Sequence, residues 1–183
     1  MFVEDDVELL QRWRCGDPRG GSDLLKRHLE ALQRFFAPKV SGHVEDLVQQ
    51  TFVRCVEARD AFRGDGSFRA FLLGLARHTL YDHYRKHYRT DIFDFATTCA
   101  MDLHPSPTVS HCVDEEKSMA LALQSVPLDQ RIALELAYWE GLTAPEIAGV
   151  LGVSENTVYS RIRRAKEHLR TALIGLSDSD IGA

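Results

Sequence analysis

Apolar residues recur at intervals of three and four along most of this chain, which is the spacing of one face of an α-helix. Val7, Leu10 and Trp13 share such a face, and the helix that they predict should end near Gly16. Further helices are predicted over 24–36, from about 43 and from about 67 to 88. No segment alternates convincingly between apolar and polar residues as a half-buried strand does. The predicted fold class is therefore all-α.

The helical spacing fades over residues 90–112, where two prolines, small polar side chains and acidic residues collect. Residues 91–124 hold six acidic residues and a single lysine. Such composition is typical of an extended, flexible linker. We therefore predict two small helical domains, at 1–90 and 113–176, which are joined by a flexible acidic linker at 91–112 and followed by a tail at 177–183.

Composition excludes several classes of protein. The acidic, amphipathic N-terminus predicts no signal peptide, and no apolar run approaches the roughly 18 residues of a membrane span. The four cysteines lie far apart without a CxxC pair, which argues against a disulfide framework. A cytoplasmic location is expected. The formal net charge of −5 is unfavourable for a protein that holds DNA by charge alone.

A helix-turn-helix pattern nevertheless occupies LTAPEIAGVLGVSENTVYSRIRRAKEHLRTAL, residues 142–173. Thr143 and Ser154 are predicted to cap its two helices, and Gly152 allows the tight turn between them. Apolar residues of the second helix, such as Val158 and Ala165, are expected to face inward. The other face should read duplex DNA, and its candidate contacts are Asn156, Tyr159, Ser160, Arg161, Arg163, Arg164 and Lys166.

The long helix after the turn FRGDGS (62–67) begins apolar and ends with interleaved aromatic and basic residues. Bases of an unpaired strand can stack on aromatic rings while phosphates meet the cations. The side chains that lie off its apolar stripe include Arg77, Tyr81 and Arg85. Composition alone leaves single-strand binding and an ordinary solvated helix face both open.

Three stretches together are similar to the extracytoplasmic-function sigma factors of bacterial RNA polymerase: DLVQQTF (46–52), DAFRGDGSFRAFLLGLARH (60–78) and the block at 127–170. The resemblance covers roughly residues 5–90 and 113–173. It implies an alternative sigma factor whose first domain binds the β′ clamp helices and melts the minus-ten element. The second domain would lie on the β flap and read the minus-35 element as duplex.

The resemblance also implies roles for individual residues. The 62–67 loop would capture a flipped-out base, His78 and Asp82 would face the unpaired strand, and Tyr159, Ser160, Arg163 and Arg164 would read the minus-35 element. Residues proposed for the minus-ten element are Phe62, Arg63, Phe68, Arg77, His78, Tyr81, Asp82 and Arg85. Residues proposed for core polymerase binding are Asp46, Leu47, Gln49, Gln50 and Phe52. The family often has Asn at the position of His78 and Trp at that of Phe71.

Polymerase contacts would supply the affinity that the net-acidic chain lacks, because tethering raises the effective concentration of both DNA-binding domains. The expected partners are core RNA polymerase, promoter DNA and an anti-sigma protein. No cofactor is predicted.

Two alternatives remain open at this stage. A conventional helix-turn-helix regulator would explain 142–173 but not the pattern at 46–89. A metal sensor could use Cys99, His104, His111 and Cys112, although their spacing matches no standard zinc site. His83 and His87 lie four residues apart, which alone is a weak metal signal. Enzymatic function is disfavoured because no nucleophile, paired carboxylates or phosphate-binding loop is evident.

Overall fold

The computed structural model describes residues 5–64, 66–88, 97–98 and 115–179. The chain divides into two compact units, Met1–Tyr88 and Arg89–Ala183. Every regular element in the described ranges is helical, which confirms the predicted all-α fold class. None of the helices described is long and apolar enough to cross a membrane.

Unit 1 contains four α-helices: α1 (Asp6–Arg14), α2 (Pro18–Phe36), α3 (Val44–Ala58) and α4 (Phe68–Tyr88). A short 3-10 turn, Arg59–Ala61, follows α3. Helix α2 packs against the other three, and α3 packs along α4. The apolar faces of these helices meet in one core, whose fully buried members include Leu24, Leu32, Phe36, Leu47, Leu72, Leu80 and Tyr84.

Glycines allow α1 and α2 to approach closely. A Cβ added at Gly21 would lie 2.6 Å from atoms of the Trp13 ring, and one at Gly20 would lie 2.8 Å from the carbonyl oxygen of Leu9. Trp13 is buried against α2 because these two positions carry no side chain. Asp17 accepts a hydrogen bond from the backbone N–H of Arg19 and so caps the start of α2.

Unit 2 contains α5 (Glu115–Gln124), α6 (Leu128–Tyr138), α7 (Ala144–Leu151) and α8 (Glu155–Ser179). Helix α8 packs against all three others. Its core joins Leu123, Val126, Leu134 and Ala165, with Ile162 and Leu169 partly buried beside them. From the predicted linker only Thr97 and Thr98 are described, and the Thr98 carbonyl accepts a hydrogen bond from the Leu128 N–H over 3.0 Å.

Candidate nucleic-acid interface

The turn between α7 and α8 is held by local hydrogen bonds that follow from its residue types. At the start of α7, the Glu146 carboxylate accepts hydrogen bonds from the backbone N–H and the hydroxyl of Thr143. Gly152 ends α7 in the left-handed conformation, at φ 66° and ψ 38°. Ser154 Oγ then accepts from the Thr157 N–H over 3.2 Å, which caps α8. The predicted capping and turn residues of the helix-turn-helix are thus confirmed.

Helix α8 separates a buried face from an exposed one. Val158 and Ala165 are fully buried, while Ile162 and Leu169 lie at the edge of the core. Ser160 is half-buried and donates its hydroxyl to the Thr157 carbonyl. The side chains that reach solvent on the outer face include most of the predicted minus-35 contacts: Asn156, Tyr159, Arg163, Arg164 and Lys166.

The exposed cations of α8 differ in how they are held. Arg163 donates to the Glu167 carboxylate over 2.9 Å, but both side chains are more than half exposed. Exposed pairs of this kind contribute little to stability, so Arg163 can exchange Glu167 for a phosphate or a base. Lys166 Nζ lies 4.9 Å from the centre of the Tyr138 ring, a cation–π contact that directs its side chain back towards α6.

Arg161 is placed differently from the other predicted minus-35 residues. Its side chain is 18% exposed and binds Asp129 of α6 over 2.8 Å. Asp129 is itself buried, with 9% of its side chain exposed. This guanidinium is therefore engaged inside unit 2, unlike the exposed cations of the same helix.

The aromatic residues around the 62–67 loop of unit 1 also depart from the prediction. Phe62 is 7% exposed and Phe68 is 3% exposed. Their rings lie edge to face at a centroid distance of 5.8 Å, and each also contacts the Phe71 ring. Arg14 donates to the Phe62 carbonyl, which ties this segment to α1. Phe62 and Phe68 are thus core residues, and of the aromatic and basic pair at 62–63 only Arg63 is exposed.

Helix α4 presents a mixed surface. Tyr81, predicted as a stacking platform, is only 8% exposed, and its hydroxyl accepts a hydrogen bond from Arg77 Nε over 3.0 Å. The Arg77 guanidinium also lies 4.3 Å from the Tyr81 ring centre, so it covers the ring that bases were expected to use. His78 is exposed. Partial desolvation of its ring by neighbouring residues, followed by the charge of Arg77, nevertheless lowers the pKa of His78 below its usual value.

Asp82 lies between two arginines. Arg54 of α3 and Arg85 of α4 each donate to a different oxygen of its carboxylate. Partial burial alone would raise the pKa of Asp82, but the hydrogen bonds from Arg54 and Arg85 outweigh it and hold that pKa below its ordinary value. The cluster therefore carries a net positive charge on the outer side of α3 and α4. Arg54 was not predicted as a site residue, because no local sequence pattern indicates a contact between residues that lie 28 positions apart.

The predicted polymerase-binding residues of α3 include exposed, half-buried and buried side chains. Asp46, Gln49 and Gln50 are exposed and line one side of a shallow groove with Val53, Arg54 and Glu57. Phe52 is half-buried. Leu47 is 1% exposed, so it belongs to the core rather than to the surface, and its predicted surface role is corrected.

The metal candidates of the linker, Cys99, His104, His111 and Cys112, lie outside the described residues. The other candidates, His83 and His87, gain a neighbour from the residue that precedes α3: their ring centres lie 5.3 and 5.4 Å from that of His43. In the described part of the chain, no three His, Cys, Asp or Glu side chains are arranged to hold a metal ion. The structure thus gives no support to a metal centre at these histidines.

Comparisons with known proteins cover both units. Residues 24–90 match the family model described as "Sigma-70 region 2", and residues 117–169 match "Sigma-70, region 4". RNA polymerase sigma-H factor of Pseudomonas aeruginosa is 30% identical over 185 residues, which covers 94% of this chain and 96% of that protein. ECF RNA polymerase sigma-E factor of Escherichia coli K12 is 29% identical over 173 residues, covering 88% and 91%.

Two solved structures have similar folds. One is CnrH in complex with the cytosolic domain of CnrY, with a TM-score of 0.66, 30% identity and coverage of 96% of this chain and 98% of that one. The other is the sigma factor RpoE in complex with the anti-sigma factor NepR from Bartonella quintana, with a TM-score of 0.65, 25% identity and coverage of 83% and 95%.

Proposed function

Because this chain belongs to the extracytoplasmic-function sigma factors, which direct transcription initiation by RNA polymerase, we propose that its two units read two separate promoter elements. Unit 2 reads the minus-35 element as duplex DNA, and unit 1 engages the minus-ten element as it melts. The protein acts with core polymerase in the cytoplasm, and it is not itself an enzyme.

The observation that carries the proposal is the outer face of α8. Tyr159, Arg163 and Arg164 stand exposed on a helix whose start is capped and whose opposite face is buried. A recognition helix presents side chains from its N-terminal half to base edges in the major groove, where arginine can donate two hydrogen bonds to guanine. Ser160 and Asn156 lie at its margins, and Lys166 must leave the Tyr138 ring before it can bind a phosphate.

Among the predicted minus-ten residues of unit 1, those accessible at the surface are mainly cations and one histidine, whereas the aromatic rings are buried. The residues that we retain for minus-ten contact are Arg63, Arg77, His78, Asp82 and Arg85. Asp82 acts through the arginines that it holds, because both of its oxygens already accept hydrogen bonds from them. Tyr81 can reach a base only if Arg77 leaves its ring, so base stacking there requires a rearrangement that polymerase or DNA must drive.

Core polymerase binds the exposed side chains of α3, namely Asp46, Gln49 and Gln50, beside the exposed apolar residue Val53. Protein–protein contacts commonly have an apolar centre and a polar rim, and Val53 with its polar neighbours fits that arrangement. Both similar structures are complexes with another protein, and in one of them the sigma factor RpoE is bound to the anti-sigma factor NepR. We accordingly assign this chain an anti-sigma partner as well.

Run-off transcription with purified core polymerase and genomic fragments tests the proposal. Wild-type protein should give discrete start sites, and those fragments then supply the promoter sequence. Arg164→Ala should lose most minus-35-dependent transcription, whereas Arg170→Ala removes the same charge from an exposed position farther along α8 and serves as the matched control. Absence of any complex with core polymerase would refute the proposal, and tight binding of the free protein to a palindrome would favour a stand-alone regulator.

A further inference from the structure

Arg161 stands within the row of recognition residues yet does not share their surroundings. The Arg163 side chain is 69% exposed and that of Arg161 is 18% exposed. Arg161 Nη2 lies 2.8 Å from Asp129 Oδ2, and its Nη1 is buried without a hydrogen-bond partner among the described residues. A guanidinium enclosed in this way costs free energy to desolvate, so its placement calls for a specific role.

The partner of Arg161 comes from a helix outside the recognition surface. Asp129 lies in the first turn of α6, whereas Arg161 lies two turns into α8. Other contacts of this stretch of α8 include apolar ones through Val158, Ile162 and Ala165, and a cation–π contact of the exposed Lys166 with Tyr138. Apolar contacts have no preferred direction, but a charge-assisted hydrogen bond constrains both distance and angle. The ion pair is thus the contact best able to fix how far α8 is turned about its own axis.

We propose that Asp129 and Arg161 form a positioning pair that sets the rotation of the recognition helix, so that Arg161 acts on promoter choice without touching DNA. Successive residues of a helix point about 100° apart, so the direction of Arg161 determines where Ser160, Arg163 and Arg164 point. A small rotation of α8 would move base-reading side chains away from their partners. This inference rests on the proposed reading of the minus-35 element by unit 2.

A direct DNA contact by Arg161 makes the opposite prediction for Asp129. If Arg161 bound phosphate or a base, Asp129→Asn would release a cation towards DNA and remove an acidic neighbour, so promoter binding would tighten. If the pair positions α8, Asp129→Asn weakens recognition although no DNA contact is lost. Whether Asp129→Asn strengthens or weakens promoter binding therefore distinguishes a direct DNA contact by Arg161 from a positioning role.

The test measures binding of reconstituted holoenzyme to its own promoter and to the same promoter with the minus-35 element scrambled, over a series of salt concentrations. Variants are Asp129→Asn, Arg161→Gln and the two combined, with Arg164→Gln as the DNA-contact control. We expect both single variants to reduce the preference for the intact element by at least about fivefold, the loss of one good base contact. Their dependence on salt should match that of wild type, because no phosphate contact is removed.

Arg164→Gln, in contrast, should reduce the salt slope by about 1 if it contacts phosphate, or reduce the preference for the intact element if it contacts a base. The combined variant removes both charges of the pair, so neither residue is left as an unpaired charge and unit 2 can still fold. Its loss of preference for the intact minus-35 element should be no larger than that of either single variant, because the two residues act as one unit.

Circular dichroism checks that each variant is folded. Unchanged or tighter binding by Asp129→Asn, or a reduced salt slope for Arg161→Gln, would overturn the positioning role. If Arg164→Gln is also without effect, the proposed function of unit 2 fails instead.

Discussion

Gly152 offers the sharpest test of how the turn of the helix-turn-helix is built. Its φ of 66° lies in the left-handed region, and a Cβ added there would meet no atom within 4 Å. The cost of Gly152→Ala is therefore a backbone cost alone. An L-residue in this conformation loses about 1–2 kcal/mol, and restriction of the unfolded chain returns about 0.4–1 kcal/mol. We expect a net loss of about 1 kcal/mol in the free energy of unfolding of unit 2.

Gly149 provides a matched control three residues earlier. It lies inside α7, and an added Cβ would again meet nothing within 4 Å. Its backbone is helical, so Gly149→Ala should stabilise unit 2 by up to about 1 kcal/mol. Gly152→Asn should cost less than Gly152→Ala, because asparagine adopts the left-handed conformation more readily.

Thermal unfolding followed by circular dichroism, with amide hydrogen exchange to assign the transition to unit 2, measures both effects. A change of 1 kcal/mol corresponds to about 4–8 °C in Tm for a domain of this size. Gly152→Ala should melt lower than wild type and Gly149→Ala higher. Equal shifts of the same sign at the two positions would refute the reasoning, since only the backbone angle distinguishes them.

Three further predictions concern unit 1. Burial raises the pKa of the Cys55 thiol to about 12, so iodoacetamide at pH 8 should alkylate the exposed Cys15 and spare Cys55 until the protein is unfolded; equal labelling rates in the native protein would contradict this. Burial also lowers the pKa of His28, although the Asp6 carboxylate opposes it. The unfolded chain then binds a proton before the folded one does, and the free energy of unfolding should fall as pH drops below about 6.5. Urea titrations at pH 7.5 and 5.5 should show a larger fall for wild type than for His28→Gln, and the same fall in both would exclude His28 as the cause. Finally, Gly21→Ala should destabilise unit 1 by about 1–3 kcal/mol through its clash with the Trp13 ring, and a urea midpoint equal to that of wild type would show that the ring moves without cost.

The locally determined features of this protein could be read from its sequence. Helical spacing, the caps at Thr143 and Ser154 and the left-handed glycine at 152 all depend on residues within four positions of one another. Caps depend on nearby side chains, and glycine tolerates the left-handed conformation without steric cost, so tertiary packing had little to alter. The same holds for the inward face of α8, where Val158 and Ala165 are buried as their spacing predicts.

The tertiary structure decided which of the candidate contacts are available at the surface. Phe62, Phe68 and Tyr81 have the composition of a stacking platform, but the first two fill the core and Arg77 covers the third. Leu47 likewise turns inward from a surface helix.

Arg161 shows why sequence alone could not make this distinction. Its neighbours in sequence are the polar Ser160 and the apolar Ile162, and its spacing places it at the flank of the recognition face. Its direction is set by Asp129, which lies 32 positions earlier and meets it only because α6 packs against α8. The spacing of apolar residues shows which residues share a face of a helix, but it leaves the residues at the margin of that face uncertain. Whether a long cation at the margin of that face reaches DNA or an interior carboxylate depends on a partner that only folding brings near.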